Sequence, residues 1–355
     1  MSGITHLRAW AAIAAAALPL CLALPAATIA DGAGEGEDGG DSRPWLAGMD
    51  ETARDLARYY FNRRAPVRVF GPAVIPFEHP TRPTVKVRIG DTVYPLLFDT
   101  GTYTCVYSES GGWPPPSGDR TVSATAVARL ESKTTIDDGV ELSYLWVGAL
   151  SLGSVHLRDV PFRYYIPQQE LSRDYAGAFS PYLLRDYVIE VSNTRHEIRL
   201  LDRSEYMPPS GSIVLPLLVL PRGVFLPLNI AGQQYWFHID TGFSGELGVL
   251  KRVAAAHPDA FSAGEGASAF GGWRGDCEYQ ELRMRQATLP AYESLTWASP
   301  APIDLGAVHA VVYPDRYVEL SGYGVGGIVG SGLLCDYDYQ LDLDLARLLI
   351  LGPAE

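Results

Sequence analysis

The sequence predicts an all-β protein made of two similar lobes, and three observations lead to that prediction. The tripeptide Asp-Thr-Gly occurs twice, at residues 99–101 and 240–242. Each copy ends a similar apolar run, in which the Asp lies ten residues after an Ile and five residues after a Tyr. The chain also carries 36 Gly and 26 Pro among many Val, Tyr and Thr, a composition typical of short strands joined by turns.

A second pair of similar segments extends the repeat over both halves of the chain. Residues 177–187 (GAFSPYLLRDY) resemble residues 327–337 (GIVGSGLLCDY), and each copy runs into a short apolar strand, at residues 198–201 and 348–351. Two long copies are too few for a solenoid and indicate an internal duplication. A duplicated chain can imitate a C2 dimer and place one Asp from each half on a pseudo-twofold axis.

These elements resemble the pepsin/retropepsin-type aspartic peptidases, specifically the bacterial two-lobed kind. The resemblance covers residues 74–352 and includes the apolar-apolar-Gly segment that packs beneath each catalytic turn of the family. It implies two retropepsin-like β-barrel lobes, at residues 66–206 and 207–355, with a catalytic cleft between them. The second lobe matches this segment with Ile-Val-Gly ending at Gly330, whereas the first lobe has Ser180 where Gly is usual.

Two carboxyl groups on matched turns suit the hydrolysis of an amide bond without a metal or a covalent intermediate. One carboxylate deprotonates a water molecule, while the other group, as an acid, protonates the carbonyl oxygen or the leaving nitrogen. Carboxyl groups about 3 Å apart cannot both ionise, so the pair keeps one proton and titrates as a unit. The sequence therefore predicts Asp99 and Asp240 as a catalytic dyad that needs no cofactor and no metal.

Four residues of the two turns are expected to support this dyad. Gly101 and Gly242 allow backbone N–H groups to approach the carboxylates closely, because neither carries a side chain. The resemblance implies that Thr100 and Thr241 form hydrogen bonds across the two loops and fix the separation of the carboxyl groups.

The residue after each Gly differs between the turns. Thr102 is expected to donate its hydroxyl to Asp99, whereas Phe243 cannot donate in this way to Asp240. A hydrogen bond to a carboxylate favours the ionised form. We therefore expect Asp99 to be the ionised partner and Asp240 the protonated one.

Other interpretations of these residues remain open at this stage. A single Asp-Thr-Gly would be a good hairpin turn, but two copies with matched neighbouring segments favour a dyad. The alternative function is a catalytically silent aspartic-peptidase-like protein that binds extended peptides or envelope partners, since a fold does not fix a function. His238 and Asp240 form a His-x-Asp pair, but no second pair completes a metal site, so we expect His238 in the core or the cleft wall.

A hairpin flap over the cleft belongs to the family plan. Residues 130–147 contain Asp-Gly at positions 138–139 between alternating strands, which favours a hairpin tip at Gly139. Tyr144 is the candidate flap tyrosine. In the second lobe, residues 271–275 (GGWRG) form the matching tip, and Trp273 either lines an apolar substrate pocket or packs on its own lobe.

The first 30 residues predict export. An uncharged apolar run at residues 11–30 follows Arg8, and Thr28 and Ala30 are small residues suited to cleavage before Asp31, as in a secretory signal peptide. An uncleaved anchor is the alternative, because about 20 apolar residues can span a bilayer. We therefore expect a periplasmic or secreted protein that contacts a membrane only if this segment stays uncleaved.

Two further segments precede the lobes. Residues 31–44 form an acidic Gly-rich linker, and residues 45–65 have helical spacing, either as a pro-segment or as a helix packed outside the first lobe. A net charge of −13 argues against nucleic acid as a partner. The resemblance implies a polypeptide substrate and a monomeric enzyme. Beyond the signal segment lie Cys105, Cys277 and Cys335, an odd number that leaves a Cys277–Cys335 pair open.

Overall fold

Two closed barrels of six strands each, one in either half of the chain, dominate the computed structural model. The structure describes residues 67–69, 73–107, 135–137, 140–165, 175–220, 223–272, 275–289, 303–313 and 325–354. The predicted signal peptide, linker and helical segment lie outside the described residues. No helix in the described part of the chain has the length and apolar character needed to cross a membrane.

The first half contains eleven described strands and one short 3-10 helix. The strands are β1 (Val67–Val69), β2 (Val74–Glu78), β3 (Thr84–Ile89), β4 (Thr92–Phe98), β5 (Cys105–Tyr107), β6 (Thr135–Asp137), β7 (Val140–Leu152), β8 (Val155–Tyr165), β9 (Gly177–Phe179), β10 (Tyr187–Ser192) and β11 (Glu197–Asp202), and the 3-10 helix is Pro181–Leu184.

The second half repeats this order with eleven described strands and three short helices. The strands are β12 (Ile213–Pro216), β13 (Leu218–Leu220), β14 (Gly223–Ile230), β15 (Gln233–Asp240), β16 (Leu247–Leu250), β17 (Phe261–Gly272), β18 (Gly275–Leu289), β19 (Ile303–Tyr313), β20 (Val325–Gly330), β21 (Tyr337–Asp342) and β22 (Arg347–Pro353), and the helices are α1 (Lys251–Ala256), a 3-10 turn (Pro258–Ala260) and α2 (Ser331–Leu334).

The same pairing closes both barrels. The first ring runs β3–β4–β9–β5–β8–β7 and returns to β3, and the second runs β14–β15–β20–β16–β19–β18 and returns to β14. Alternation of side chains gives the strands a core face and a solvent face. Along β3, for example, Val85, Val87 and Ile89 are buried, while the residues between them face outward. The predicted fold of two similar β-barrel lobes is confirmed.

A six-stranded antiparallel sheet, which the sequence did not reveal, joins the two halves. Its order is β12–β22–β21–β10–β11–β2, with three strands from each half. At the junction, Glu190 of β10 pairs with Gln340 of β21, and these two residues are themselves equivalent in the repeat. The Gln340 side-chain amide donates to Glu190 at 2.8 Å. The pseudo-twofold axis therefore passes through this residue pair.

A buried ionic cluster lies beside the same sheet. Asp342, at the end of β21, is fully buried and accepts hydrogen bonds from Nε and Nη2 of Arg347, each at 2.9 Å. It is also bonded to Arg203 of the first half. The Leu345 amide donates to the same carboxylate at 3.1 Å. The cluster thus connects the two halves through a charge-assisted network around a fully buried carboxylate.

Candidate active site

Each Asp-Thr-Gly turn is held by a strand pair in its own barrel. Asp99 follows β4, whose parallel neighbour is β9, and the Asp99 amide donates to the Phe179 carbonyl at 3.0 Å. Asp240 ends β15 and pairs with Gly330 of the parallel strand β20. The apolar-apolar-Gly segment of each half, which ends at Ser180 in the first half and at Gly330 in the second, therefore lies directly beside the turn of its own half.

The two turns face each other at very close range. Asp240 acts on Asp99 through its charge and through side-chain hydrogen bonding, and both effects raise the pKa of Asp99. A Cβ atom on Gly101 would lie 2.5 Å from Cγ of Asp240, and one on Gly242 would lie 2.4 Å from Oδ2 of Asp99. Real Cβ atoms do not approach other atoms so closely, so glycine is required at both positions for the carboxyl groups to meet.

Backbone amides hold both carboxyl groups. Gly101 N–H donates to Oδ1 of Asp99 at 2.7 Å, and Gly242 N–H donates to Oδ1 of Asp240 at 3.0 Å. Phe243 N–H adds a bond to the same Asp240 oxygen at 3.2 Å. Such bonds stabilise a carboxylate, so the turns are suited to hold a negative charge between them.

The pKa of Asp99 is raised well above its ordinary value, first by burial and next by the charge of Asp240. The bond from the Gly101 amide lowers this pKa but does not outweigh burial. Within the described residues, no hydrogen bond joins the Thr102 hydroxyl to Asp99. Because the two carboxyl groups titrate as a pair, the assignment of the ionised partner stays a prediction.

Phe243 has a packing role. Its ring is 5% exposed and lies edge-on to Tyr313, with centroids 6.0 Å apart. A Cβ on Gly245 would come within 2.3 Å of that ring. Phe243 therefore fills the lobe beneath the turn, while its backbone amide, rather than its side chain, bonds Asp240.

The threonines of the two turns bond across the pseudo-twofold axis. The Thr100 amide donates to Oγ1 of Thr241 at 3.0 Å, and the Thr241 amide donates to Oγ1 of Thr100 at 3.1 Å. Each hydroxyl then donates to a carbonyl of the opposite half, Thr100 to Ile239 at 2.6 Å and Thr241 to Phe98 at 2.5 Å. Four buried bonds fix the two turns to each other.

Replacing both Thr100 and Thr241 by Val should weaken this connection more than replacement by Ser. Each Val removes the hydroxyl that accepts from the buried amide of the opposite turn, and an unsatisfied buried group costs about 1–3 kcal/mol. We expect the double Val variant to lose roughly 2–6 kcal/mol of unfolding free energy. The matched double Ser variant keeps the hydroxyls and should stay near wild type in urea titrations; equal losses in both would contradict the role of the hydroxyls.

The departure at Ser180 has a local explanation. Gly330 cannot carry a side chain, because a Cβ there would lie 2.0 Å from the Gly245 carbonyl oxygen. In the first half, the strand after the turn resumes at Cys105, six residues after Asp99, and its equivalent in the second half comes eight residues after its Asp. The first turn is thus two residues shorter, and Ser180 has an ordinary φ of −82°. Its amide donates to Oγ1 of Thr104 at 3.1 Å.

The predicted flap residues are only partly described. Strands β6 and β7 flank the tip that contains Gly139, with Asp137 paired to Val140, and β17 and β18 flank the tip that contains Trp273. Gly139 and Trp273 themselves lie outside the described residues, as does the side chain of Tyr144. Their roles in substrate binding stay predictions.

Two contacts between the halves were missed by sequence reasoning. The Tyr182 hydroxyl donates to the Leu220 carbonyl at 3.3 Å, and the Ser331 hydroxyl bonds the Thr81 carbonyl. Each donor belongs to the short helix that follows the apolar-apolar-Gly segment of its own half, Pro181–Leu184 or Ser331–Leu334. Each acceptor belongs to a hairpin of the other half. No motif marks these residues, since the contact depends on how the halves are placed.

The remaining candidates from the sequence are the cysteines and the His-x-Asp pair. Cys335 is a free thiol that donates to the Gly332 carbonyl at 3.2 Å, and the side chain of Cys277 lies outside the described residues. Within the described ranges, no group of three or more His, Cys, Asp or Glu residues is placed to hold a metal ion. His238 lies two residues before Asp240 on β15, and its ring stacks on Phe225 with centroids 5.0 Å apart.

Comparison with known proteins places the fold. No protein-family model and no curated protein sequence matches the chain. A solved structure, the aspartic proteinase from Irpex lacteus, superposes with a TM-score of 0.51 at 14% sequence identity, and the match covers 79% of this chain and 97% of that one. At this identity the likeness concerns the fold. The protein thus has the two-lobed fold of pepsin-like aspartic proteinases.

Proposed function

We propose that the protein is an exported aspartic endopeptidase that hydrolyses peptide bonds through a water molecule activated by Asp99 and Asp240. The observation that carries this proposal is the close approach of the two Asp-Thr-Gly turns, in which the glycine of each turn lies directly against the carboxyl group of the other. A pair so close retains a single proton, which supplies an acid and a base at the same place.

The two groups divide the work through their shared proton. One carboxyl group holds this proton and donates it to the carbonyl oxygen of the substrate. The other is the carboxylate that takes a proton from water. The attack forms a tetrahedral diol, and return of a proton to the leaving nitrogen releases the two peptides.

Digestion of casein and of a peptide library by the purified protein tests this function, with assays from about pH 3 to pH 8. We expect cleavage that pepstatin inhibits and that EDTA leaves unchanged. Resistance to pepstatin, or loss of activity with EDTA, would contradict the dyad mechanism. Peptide binding without cleavage at any pH would instead favour the silent binding protein.

The raised pKa of Asp99 has a consequence for stability. The native state keeps a proton that the unfolded chain releases, so the contribution of this group is complete below the unfolded pKa of about 4 and is lost as pH rises through the raised pKa. The slope is at most about 1.4 kcal/mol per pH unit for one proton. We expect unfolding free energy to fall from acid to neutral pH more steeply in wild type than in Asp99→Asn.

Urea titrations at a series of pH values measure this difference. The control is Asp202→Asn. The Ser204 hydroxyl lowers the pKa of Asp202, so the stability that this carboxylate contributes is present at neutral pH and is lost as pH falls, opposite to the contribution of Asp99. If the unfolding free energy changes with pH in the same way in wild type and in Asp99→Asn, the dyad proton does not affect stability.

A further inference from the structure

Ser331, the first residue of α2, contacts both halves of the protein. It is 2% exposed, and its hydroxyl oxygen lies within hydrogen-bond distance of two carbonyl oxygens, that of Phe243 at 3.0 Å and that of Thr81 in the first half. The Ser331 amide donates to the same Phe243 carbonyl at 2.8 Å. A single buried residue therefore bonds the second Asp-Thr-Gly turn through two of its groups and connects that turn to the first half.

Phe243 links this contact to the dyad. Its amide donates to the Asp240 carboxylate at 3.2 Å and to the Asp240 carbonyl at 3.0 Å, whereas its own carbonyl, attached to the same Cα atom, bonds Ser331. An amide stabilises a carboxylate only when the two are well aligned, because hydrogen bonds weaken steeply as their angle narrows. The position of the Phe243 backbone therefore sets how well this amide supports Asp240.

The other end of the contact lies next to the strands that lead to Asp99. Thr81 belongs to the turn between β2 and β3, and two residues later the Pro83 carbonyl accepts a hydrogen bond from the Phe98 amide at 2.7 Å. Phe98 directly precedes Asp99. Ser331 therefore connects the second Asp-Thr-Gly turn to the part of the chain that positions the first one.

In the first half, a proline occupies the position equivalent to Ser331. Pro181 follows Ser180 as Ser331 follows Gly330, and proline has neither a backbone N–H nor a hydroxyl to donate. The second turn is longer by two residues, so more of its backbone has to be held in place. The threonine bonds fix each turn next to its own Asp, whereas Ser331 acts further along the second turn.

We propose that Ser331 is a positioning residue of the dyad, whose hydroxyl holds Phe243 against the first half and so keeps the Phe243 amide directed at the Asp240 carboxylate. This inference rests on the proposed peptidase function. Ser331 acts through Phe243 and does not contact the reacting atoms. Loss of its hydroxyl should therefore slow the chemical step and leave substrate binding nearly unchanged.

Ser331→Ala tests this role, because it removes the hydroxyl and keeps the amide bond to Phe243. We expect kcat for a cleaved casein peptide to fall about tenfold, since a displacement of ~1 Å at a reacting group can cost about a hundredfold in rate. KM should stay within about twofold of wild type, since a buried residue offers the substrate no surface. Ser331→Thr retains a hydroxyl and should retain most of kcat.

Ser192→Ala is the matched control. Ser192 is also fully buried and also connects the halves, through a 3.0 Å hydrogen bond from its hydroxyl to Asp338 beside the six-stranded sheet. Its hydroxyl also accepts from the Arg195 amide at 3.2 Å. This variant should lower the urea midpoint and keep the wild-type kcat. Equal losses of kcat in Ser192→Ala and Ser331→Ala would overturn the proposal, because any weakened contact between the halves would then have the same effect.

Exchange of the Phe243 amide hydrogen provides a readout that does not depend on activity. Protein labelled with 15N-phenylalanine carries 11 such amides, and Phe243→Leu identifies the relevant NMR signal. The fully buried Phe237 of β15 serves as the internal reference. We expect the ratio of the Phe243 rate to the Phe237 rate to rise about tenfold in Ser331→Ala and to stay at the wild-type value in Ser192→Ala.

The two readouts together distinguish this inference from the proposed function. If wild type cleaves no peptide and Ser331→Ala still raises the exchange ratio, the peptidase is refuted while the positioning role stands. If wild type cleaves and Ser331→Ala changes neither kcat nor the ratio, the peptidase stands and the positioning role is refuted. A lower kcat with an unchanged ratio also refutes this role, because the effect would then not act through Phe243.

Discussion

Asp99→Asn and Asp240→Asn are each expected to lower kcat/KM by about a thousandfold or more, which is the largest effect we expect on activity. General acid–base catalysis contributes about 10²–10⁴-fold, and either change removes the shared proton that supplies both acid and base. Asn has nearly the same shape as Asp and can accept the amide bonds of Gly101 or Gly242 through its oxygen. The fold should therefore survive, which circular dichroism and urea titration can verify.

A matched substitution outside the dyad controls for charge. Asp259→Asn removes one carboxylate from an exposed position in the second lobe and should leave kcat/KM unchanged. Retention of more than about 5% activity in either dyad variant would contradict a mechanism that needs both carboxyl groups, provided that contaminating peptidases are excluded by the inhibitor profile.

Asp342→Ala is expected to cost about 3–5 kcal/mol of unfolding free energy, the largest effect on stability that we expect from one substitution. Removing one partner of a buried ion pair leaves the other charge without compensation. Here the carboxylate is fully buried, and the side chain of Arg347 is only 8% exposed. Arg203 would also lose its bond to the opposite half. Urea titration followed by tryptophan fluorescence measures the change.

An exposed ion pair provides the comparison. Glu78 and Lys86 lie 2.8 Å apart with side chains 57% and 69% exposed, and water screens such pairs strongly. Glu78→Ala should barely move the urea midpoint. Similar midpoints for Asp342→Ala and Glu78→Ala would show that the buried cluster adds nothing to the connection between the halves.

The sequence by itself determined the symmetry of the protein and the identity of its central residues. The repeated Asp-Thr-Gly, the strands before it and the late repeat segments are local patterns, and local patterns depend on backbone propensity and side-chain alternation. They were sufficient to predict two β-barrel lobes. They also singled out the glycines and threonines that the structure brings together at the junction of the halves.

Only the tertiary structure decided the electrostatics and the contacts between the halves. The raised pKa of Asp99 depends on burial and on Asp240, which is 141 residues away in sequence. Whether a side chain can be accommodated at the end of the apolar-apolar-Gly segment likewise depends on the loop that packs against it. The pairing of Glu190 with Gln340 depends on how two barrels approach, since long-range packing leaves no short motif in the chain.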